Sequence, residues 1–445
     1  MKLRRLKATG VLWRHSDFMK LWAGQSISEF GTAVSQLAIP LVAVLVLNAS
    51  AFEVASLGTV QFLPFILFTL PAGVWVDRVS RRLVLIVGDL GRALLLASIP
   101  VAYLLDVLTL GHLYVVGFLV GVLTVFFDVA YQSYLPSLVE REHLVEGNSK
   151  LQITVSGSQI AGPGVAGALI GAITAPYAIV LDAASFLVSG GFTVAIRKRE
   201  ALPSAAPDGT KPRLRSELWA GLRYVLWHRY LLPQAIATGT SNFFSNAVFS
   251  ILVVYAVRSL HLSAGLIGVV FMGGGIGWLL GSVSSNRLGS RLGVGRTTIL
   301  GIATTGPSAL LMALAPKGFP MPFLIAGTIV GGFGAVVYNI QQVSLRQAIT
   351  PERMQGRMNA VMRFLVWGTI PLGSLTGGAL ASTVGLRATL FVAAVGGFTA
   401  ILPIVLSQIR TLQTFPEPEE LPSAVEAEAE GGIVTPLTTP VSRDE

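Results

Sequence analysis

The chain has 445 residues, 52% of them hydrophobic and only 12% charged, with a mean hydropathy of +0.68 and a formal net charge of +9. A soluble domain carries about 25% charge, so a water-exposed globular fold is excluded. The absence of cysteine also excludes disulfides and thiolate metal sites.

Residues 1–20 open on a basic lead-in (Lys2, Arg4, Arg5, Lys7) and read as a cytoplasmic segment without a cleavable signal. Apolar stretches long enough to cross roughly 30 Å of hydrocarbon follow at 21–47, 54–76, 83–105, 112–134, 151–174 and 176–196. A second set follows at 231–257, 264–286, 296–315, 319–340, 358–384 and 387–409. The runs are continuous, without the alternation of a membrane β-barrel. Helices satisfy every backbone group internally where water is absent, so the fold class is an all-α membrane protein of twelve helices in two six-helix bundles, 21–196 and 231–409.

Between the bundles, 197–230 is a cytoplasmic linker. It begins Arg197–Lys198–Arg199 and ends in an amphipathic segment that sets Trp219, Leu222, Leu226 and Trp227 among Arg215, Arg223 and Arg229, a pattern suited to the membrane surface. Residues 410–445 are rich in Pro and Glu and read as a disordered cytoplasmic tail. With both termini inside, the inner segments hold Arg78/Arg81/Arg82 and Arg287/Arg291/Arg296, while the outer loops hold little beyond Arg258, Lys317 and Arg387. The positive charge is thus a topology signal and implies no nucleic-acid partner.

The halves repeat. A shift of 211 residues carries Asn148 to Asn359, Gly162 to Gly373, and Gly167–Ala168–Leu169 to Gly378–Ala379–Leu380. Transporters are commonly built from such repeats, with substrate bound between them. A channel or a membrane enzyme can be duplicated too. The five histidines (His15, His112, His143, His228, His261) all fall in loops or surface segments, and neither Gly-x-Ser-x-Gly, His-Glu-x-x-His nor Gly-x-x-x-x-Gly-Lys occurs. Enzymes and ATP-driven pumps are set aside on that basis. A non-transporting sensor or scaffold would share the remaining features.

Ionisable groups inside spans are functional candidates by default. They are Glu29, Asp89, Arg92, Asp128, Asp182 and Arg363; between Glu217 and Glu417 the single acid is Glu352. Proton chemistry is therefore expected in the first half. Glu29 is the proton-coupling candidate. It lies about 12 Å into the first span at 1.5 Å per residue and shares a face with Gln25 and Gln36. Desolvation favours the protonated form of a carboxylic acid, as a reversible carrier requires. The competing reading is a carboxylate paired near the inner interface. Asp89 and Arg92, three apart, read as a neutralised pair, and Asp182 beside Ser185 as a packing hydrogen bond. Gln61, Asn242, Phe243, Asn246 and Asn339 are candidate cavity residues for an amphipathic ligand, each with interhelical hydrogen bonding as the alternative role.

The loop Gly73–Val–Trp–Val–Asp77–Arg78–Val–Ser–Arg81–Arg82 resembles the signature loop of the major facilitator superfamily. Gly73 would let the second span approach a neighbour, and Asp77 would reach Arg363. The phrases Phe127–Asp128–Val129–Ala130–Tyr131, Leu144–Asn148, Asp182–Phe186 and Asn359–Phe364 are similar to the bacterial macrolide-efflux and siderophore-exporter branch. Gly162–Pro163 with Gly167 resembles the antiporter glycine motif, although Ser158 stands where a further glycine is expected. The resemblance implies a pseudo-two-fold fold and a conformational latch of Gly73, Asp77, Arg78, Arg81 and Arg82 with Asp128 and Arg363. It also implies export of a drug- or macrolide-like molecule by antiport, with the proton gradient as energy source and no other cofactor. The equivalent loop of the second half, Gly281 to Arg287, has lost the acid. The expected setting is the lipid bilayer of a bacterial inner membrane, with the protein a monomer.

Overall fold

A computed structural model describes residues 11–76, 78–140, 143–198 and 214–416, and all regular structure among them is helical. Asp77, most of the linker's first half and the distal tail lie outside the described residues. The first bundle comprises α1 (Ser16–Leu45), α2 (Ala51–Val76), α3 (Arg81–Leu104), α4 (Leu110–Leu138), α5 (Leu144–Ile173) and α6 (Ala175–Val194). The linker contributes α7 (Leu214–Trp227). The second bundle comprises α8 (Leu231–Val254), continued by a π turn Tyr255–Ser259, and α9 (Ala264–Leu292), followed by α10 (Val294–Ile302) with α11 (Thr305–Leu314) and then α12 (Met321–Ile349). It ends with α13 (Glu352–Trp367) and α14 (Thr369–Thr383), then α15 (Leu386–Thr399) and α16 (Leu402–Val405). Among the described residues twelve helical segments are long and apolar enough to cross a membrane.

Several helices outrun the apolar stretches that announce them. α5 starts at Leu144, α9 runs to Leu292 and α12 to Ile349. Their polar ends extend beyond the apolar stretches, and a helix satisfies its own backbone there as well. For this reason the segment 281–287 is not a loop: it is continuous helix within α9, and its Ser285 is buried and accepts from Gln341 Nε2 at 3.2 Å. Side chains cap the helix ends. Ser80 Oγ accepts from Leu83 N at 3.4 Å, and Ser50 and Glu53 form a capping box at α2. Gly293 (φ 82°) and Gly385 (φ 91°) take the left-handed conformation at the α9–α10 and α14–α15 turns, where a Cβ would be strained.

Within each half the helices pack as two related sets, α1 on α5 and α6 in the first and α8 on α14 and α15 in the second; between halves α5 meets α9 and α2 meets α14. The repeated glycines make equivalent contacts. A Cβ on Gly162 would lie 2.6 Å from Ala33 Cβ of α1, and one on Gly373 would strike the Phe243 backbone of α8. A Cβ on Gly167 would lie 2.9 Å from Gly268 Cα of α9, and one on Gly378 2.9 Å from Phe52 Cα of α2. One glycine of each pair binds the helix to its own bundle, and the other joins the two bundles.

The apolar core follows the same division. One cluster draws on both halves, with Val34, Leu41 and Ile170 packed together with Ile251, Ile267 and Leu390, and lies at the face opposite the termini. At the face bearing the termini, the core separates into one cluster of the first bundle (Phe18, Leu85, Tyr134) and one of the second (Tyr224, Ile349, Met358). The protein is sealed at the far face and parted at the terminal face.

α7 lies on α13 at the terminal face. Gly221 permits the approach, since a Cβ there would be 3.0 Å from Arg357 O, and Tyr224 donates to Ile349 O at 3.4 Å. Trp219 and Trp227 point outward, 68% and 84% exposed. His228 is enclosed between Tyr224 and Tyr230 and accepts from Tyr230 N at 3.2 Å. Burial, aided by Arg229, pushes its imidazole down from 6.5 to about 4. Because the undocked state takes up the proton first, the contribution of this site is complete above pH 6.5 and is lost as pH falls from 6.5 to about 4. The protection of residues 214–230 against hydrogen exchange, taken relative to the intrinsic rate at each pH, is therefore expected to fall over that interval, and to do so far less in His228→Phe.

Candidate functional site in the first bundle

Toward the terminal face an open cavity of about 430 Å³ is lined by α1, α4 and α5. Its polar lining is Gln25, Glu29, Tyr131, Asn148, Ser149 and Gln152, completed by Leu151 and Val155. Gln25 and Glu29 are one turn apart on α1, and the Gln25 amide donates to the Glu29 carboxylate at 3.0 Å. Ser158 Oγ of α5 donates to Glu29 O at 2.9 Å. The serine that interrupts the glycine motif thus ties α5 to the carbonyl of the residue most exposed to the cavity's chemistry. Asn148 and Gln152 follow one another at i and i+4 along α5, which puts both amides on the cavity side.

Behind this wall lies a second polar group. Arg92 Nη2 bonds Asp89 Oδ1 at 2.7 Å, and Arg92 Nε donates to Gly88 O at 3.2 Å. The guanidinium is sandwiched between Phe127 and Phe186, with its carbon 4.1 and 4.2 Å from the two ring centroids. Those rings adjoin Asp128 on α4 and, one turn away, Asp182 on α6. The charges that act on Asp128 are Arg92 and Glu29. Asp128 sits beside Phe127, which packs on Gly88, seven residues or roughly 10 Å deeper along α3 than Arg81. The structure thus sets Asp128 within electrostatic reach of Arg92 and Glu29.

The remaining latch residues are arranged for a parted terminal face. Arg82 donates to Val194 O at 2.7 Å and Thr193 O at 3.3 Å, capping the C-terminus of α6. Arg78 is exposed. The close approach expected of Gly73 is not made, since a Cβ there would meet nothing within 4 Å. Arg363 lies over the Trp367 ring at 4.7 Å, and Trp367 in turn meets Phe62 of the first bundle, 6.0 Å between centroids. The Asp77–Arg363 pairing falls outside the described residues.

The other cavity candidates divide. Gln36 is exposed and lies two turns beyond Glu29, outside the cavity lining. Gln61 packs on Gly117 of α4 and so serves the α2–α4 contact. Asn242 donates to Val366 O at 3.2 Å and Asn246 to Asn242 O at 2.9 Å, so both amides are spent on backbone. Phe243 meets Phe244 edge to face at 5.1 Å. Asn339 is exposed and accepts from Gln342 at 3.1 Å. Sequence reasoning missed Tyr131, Ser149 and Gln152 as lining residues, and it missed Arg346 near the end of α12. Arg346 is close enough to Arg363 for the two charges to act on each other, and its Nε is buried without a hydrogen-bond partner. The i, i+4 amides of α5 were the available signal for the first group.

The far-face seam is built on the glycine motif. Along α5–α9, a Cβ on Gly268 would strike Pro163 O and lie 3.0 Å from Gly167 Cα, and one on Gly275 would lie 2.7 Å from Ile160 Cα. Arg258 adds a polar link between halves, donating to Ala49 O at 2.7 Å.

Two six-helix bundles related by a repeat, sealed at one face and parted at the other, define a major facilitator transporter. The transmembrane secretion effector family model matches residues 11–431, and the chain belongs to that family. It is 28% identical to the multidrug efflux pump Tap of Mycolicibacterium fortuitum, over 81% of this chain and 88% of that protein. It is 23% identical to macrolide efflux protein A of Streptococcus pyogenes (83% and 90%) and 24% identical to the enterobactin exporter EntS of Citrobacter koseri (93% and 96%). A bacterial homologue of the iron transporter ferroportin, solved in an inward-facing state, superposes with a TM-score of 0.65 at 17% identity over 89% of this chain and 98% of that one. These relatives are membrane transporters, not enzymes, and the chain is a multi-pass efflux-type transporter.

The seam makes a quantitative contrast. Gly268→Val is expected to cost about 1–3 kcal/mol by overpacking. Gly73→Ala, facing open space, should be neutral or stabilising by up to about 1 kcal/mol. Thermal unfolding of the purified variants checks both.

Proposed function

We propose that the protein exports small amphipathic molecules by proton antiport through alternating access, acting as a monomer in a bacterial inner membrane with both termini cytoplasmic. The observation that carries this reading is the Glu29 cavity, which lies at the parted face while glycine seams close the opposite one. With the termini inside, that face is the cytoplasmic one, where an exporter must load. Glu29 is the proton-exchanging carboxylate: release of its proton to the cytoplasm frees the site, and reprotonation from outside resets it. The multidrug and macrolide pumps among the relatives support an amphipathic substrate. On closure of the terminal face, the loop from Gly73 to Arg82 would dock against the second bundle, with Asp77 meeting Arg363.

One observation favours a second reading, export of an endogenous anionic metabolite such as a siderophore. Arg346 and Arg363 lie together in a half whose spans hold no acid, and they suit a ligand with acidic oxygens; an enterobactin exporter is among the relatives.

Uptake of erythromycin and of ethidium into inverted membrane vesicles, with and without a pH gradient, tests the proposal. Gradient-dependent uptake is expected in the wild type, and Glu29→Gln should abolish the gradient-dependent component. Uptake indifferent to the gradient would remove antiport. Gradient-driven uptake unchanged in Glu29→Gln would remove that residue's role.

A further inference from the structure

Three carboxylates, those of Asp89, Asp128 and Asp182, share the single guanidinium of Arg92 inside the first bundle. Asp89 and Asp182 are 0% and 1% exposed and Arg92 5%. Asp89 Oδ1 takes the short contact to Arg92, and its Oδ2 is buried with no hydrogen-bond partner. Arg92 is held too firmly to serve a second acid equally, because two rings clamp its faces and Gly88 O takes Nε. Asp128 is only half-buried and stands on the side of Glu29. Asp182 has no cation of its own. Only neutral hydroxyls face it: Ser185 Oγ, one turn along α6, lies 3.2 Å from its Oδ1 while also donating to Asp182 O at 2.8 Å, and Ser35 of α1 lies on its other side. An isolated carboxylate in such a place is costly, and the ordinary remedy is to take up a proton.

We propose that Asp182, within this arginine-centred cluster, is a second proton-binding site, distinct from Glu29. The proton adds to a carboxylate oxygen of Asp182 with no other bond made or broken. The groups facing Asp182 can be stated for each neighbouring helix. α3 contributes Asp89 and Arg92. α1 contributes Gly31, whose added Cβ would lie 2.6 Å from Asp182 Oδ1. α5 carries its charges, Glu146 and Lys150, at the opposite end from its junction with α6.

Gly31 gives the site its mechanical consequence. It is two residues beyond Glu29 on the same helix, so α1 presents one carboxylate to the cavity and rests its backbone on the other. A proton gained or lost at Asp182 changes the charge directly beneath that contact, and this links occupancy of the buried site to the seating of the helix that carries Glu29.

The inference rests on the antiport reading for its role in transport, but its test does not need transport. Infrared spectra of the purified protein in lipid nanodiscs, recorded across a pH titration in H₂O and D₂O, report protonated carboxyl groups through their carbonyl stretching band. In the wild type this band should contain a component that Glu29→Gln leaves in place and Asp182→Asn removes, a loss equivalent to one carboxyl group. Ser185→Ala keeps the carboxyl and removes its hydroxyl donor, so it should shift the frequency of that component, which guards against Asp182→Asn failing to fold. A band of unchanged intensity in Asp182→Asn, or of unchanged frequency in Ser185→Ala, would overturn the proposal even if gradient-driven uptake through Glu29 stands. Removal of the component by Asp182→Asn alongside gradient-independent uptake would uphold the site and overturn antiport.

Discussion

The structure depends on how closely two helix backbones can approach without water to reward the contact. In hydrocarbon the lipid chains are as apolar as leucine, so helix association draws on packing at short range and on small residues. In this chain the bundles touch where glycine removes the obstacle: Gly167 against Gly268 on one side of the pseudo-two-fold axis, and Gly378 against Ala55 and Phe52 on the other. Beyond the level of Ile160 and Gly275 the α5–α9 glycine contacts cease, the core divides into two clusters, and the cavity beside Glu29 begins. Access to the terminal face is thus the complement of the seam at the far face.

That division also explains the unequal chemistry of the halves. The first bundle places Glu29 on the cavity and buries Asp89, Arg92 and Asp182 within the bundle. The second bundle sets Arg346 near Arg363 and uses Asn242 and Asn246 to fasten backbone. The arginines near the terminal face also stabilise helix ends: Arg82 and Lys20 both donate to carbonyls at the end of α6, and Lys198 donates to Leu138 O at the end of α4. The positive charge that marks the topology is spent locally on helix C-termini.

Much of this was legible in the sequence because the membrane imposes a coarse rule. Twelve apolar stretches could be counted, and the 211-residue repeat carried Gly162 and Gly167 onto residues that make equivalent contacts. Glu29 with Gln25 was legible because i and i+4 residues on a helix must adjoin. What was not legible has one cause, that hydropathy ignores which neighbour a face meets. Gln61 packs on Gly117, while Gln36 is exposed and outside the lining of the Glu29 cavity. Ser149 was not legible as a lining residue because α5 begins two turns before its apolar stretch. The Asp89–Arg92 pair was legible from its i, i+3 spacing, but the stacking of Arg92 between Phe127 and Phe186 was not. No reading of a single chain reveals such a three-helix sandwich.

The central claim is that the far-face seam and the terminal-face opening are alternatives. Because the chain contains no cysteine, spin labels can be attached without background. Electron–electron distance measurements on Glu140→Cys with Gln347→Cys would report the terminal face, and on Asp106→Cys with Lys317→Cys the far face. The account predicts a long terminal-face distance and a short far-face one in the resting protein, with acidification or ethidium lengthening one as it shortens the other. Distances that stay fixed in both pairs, or that lengthen together, would contradict it.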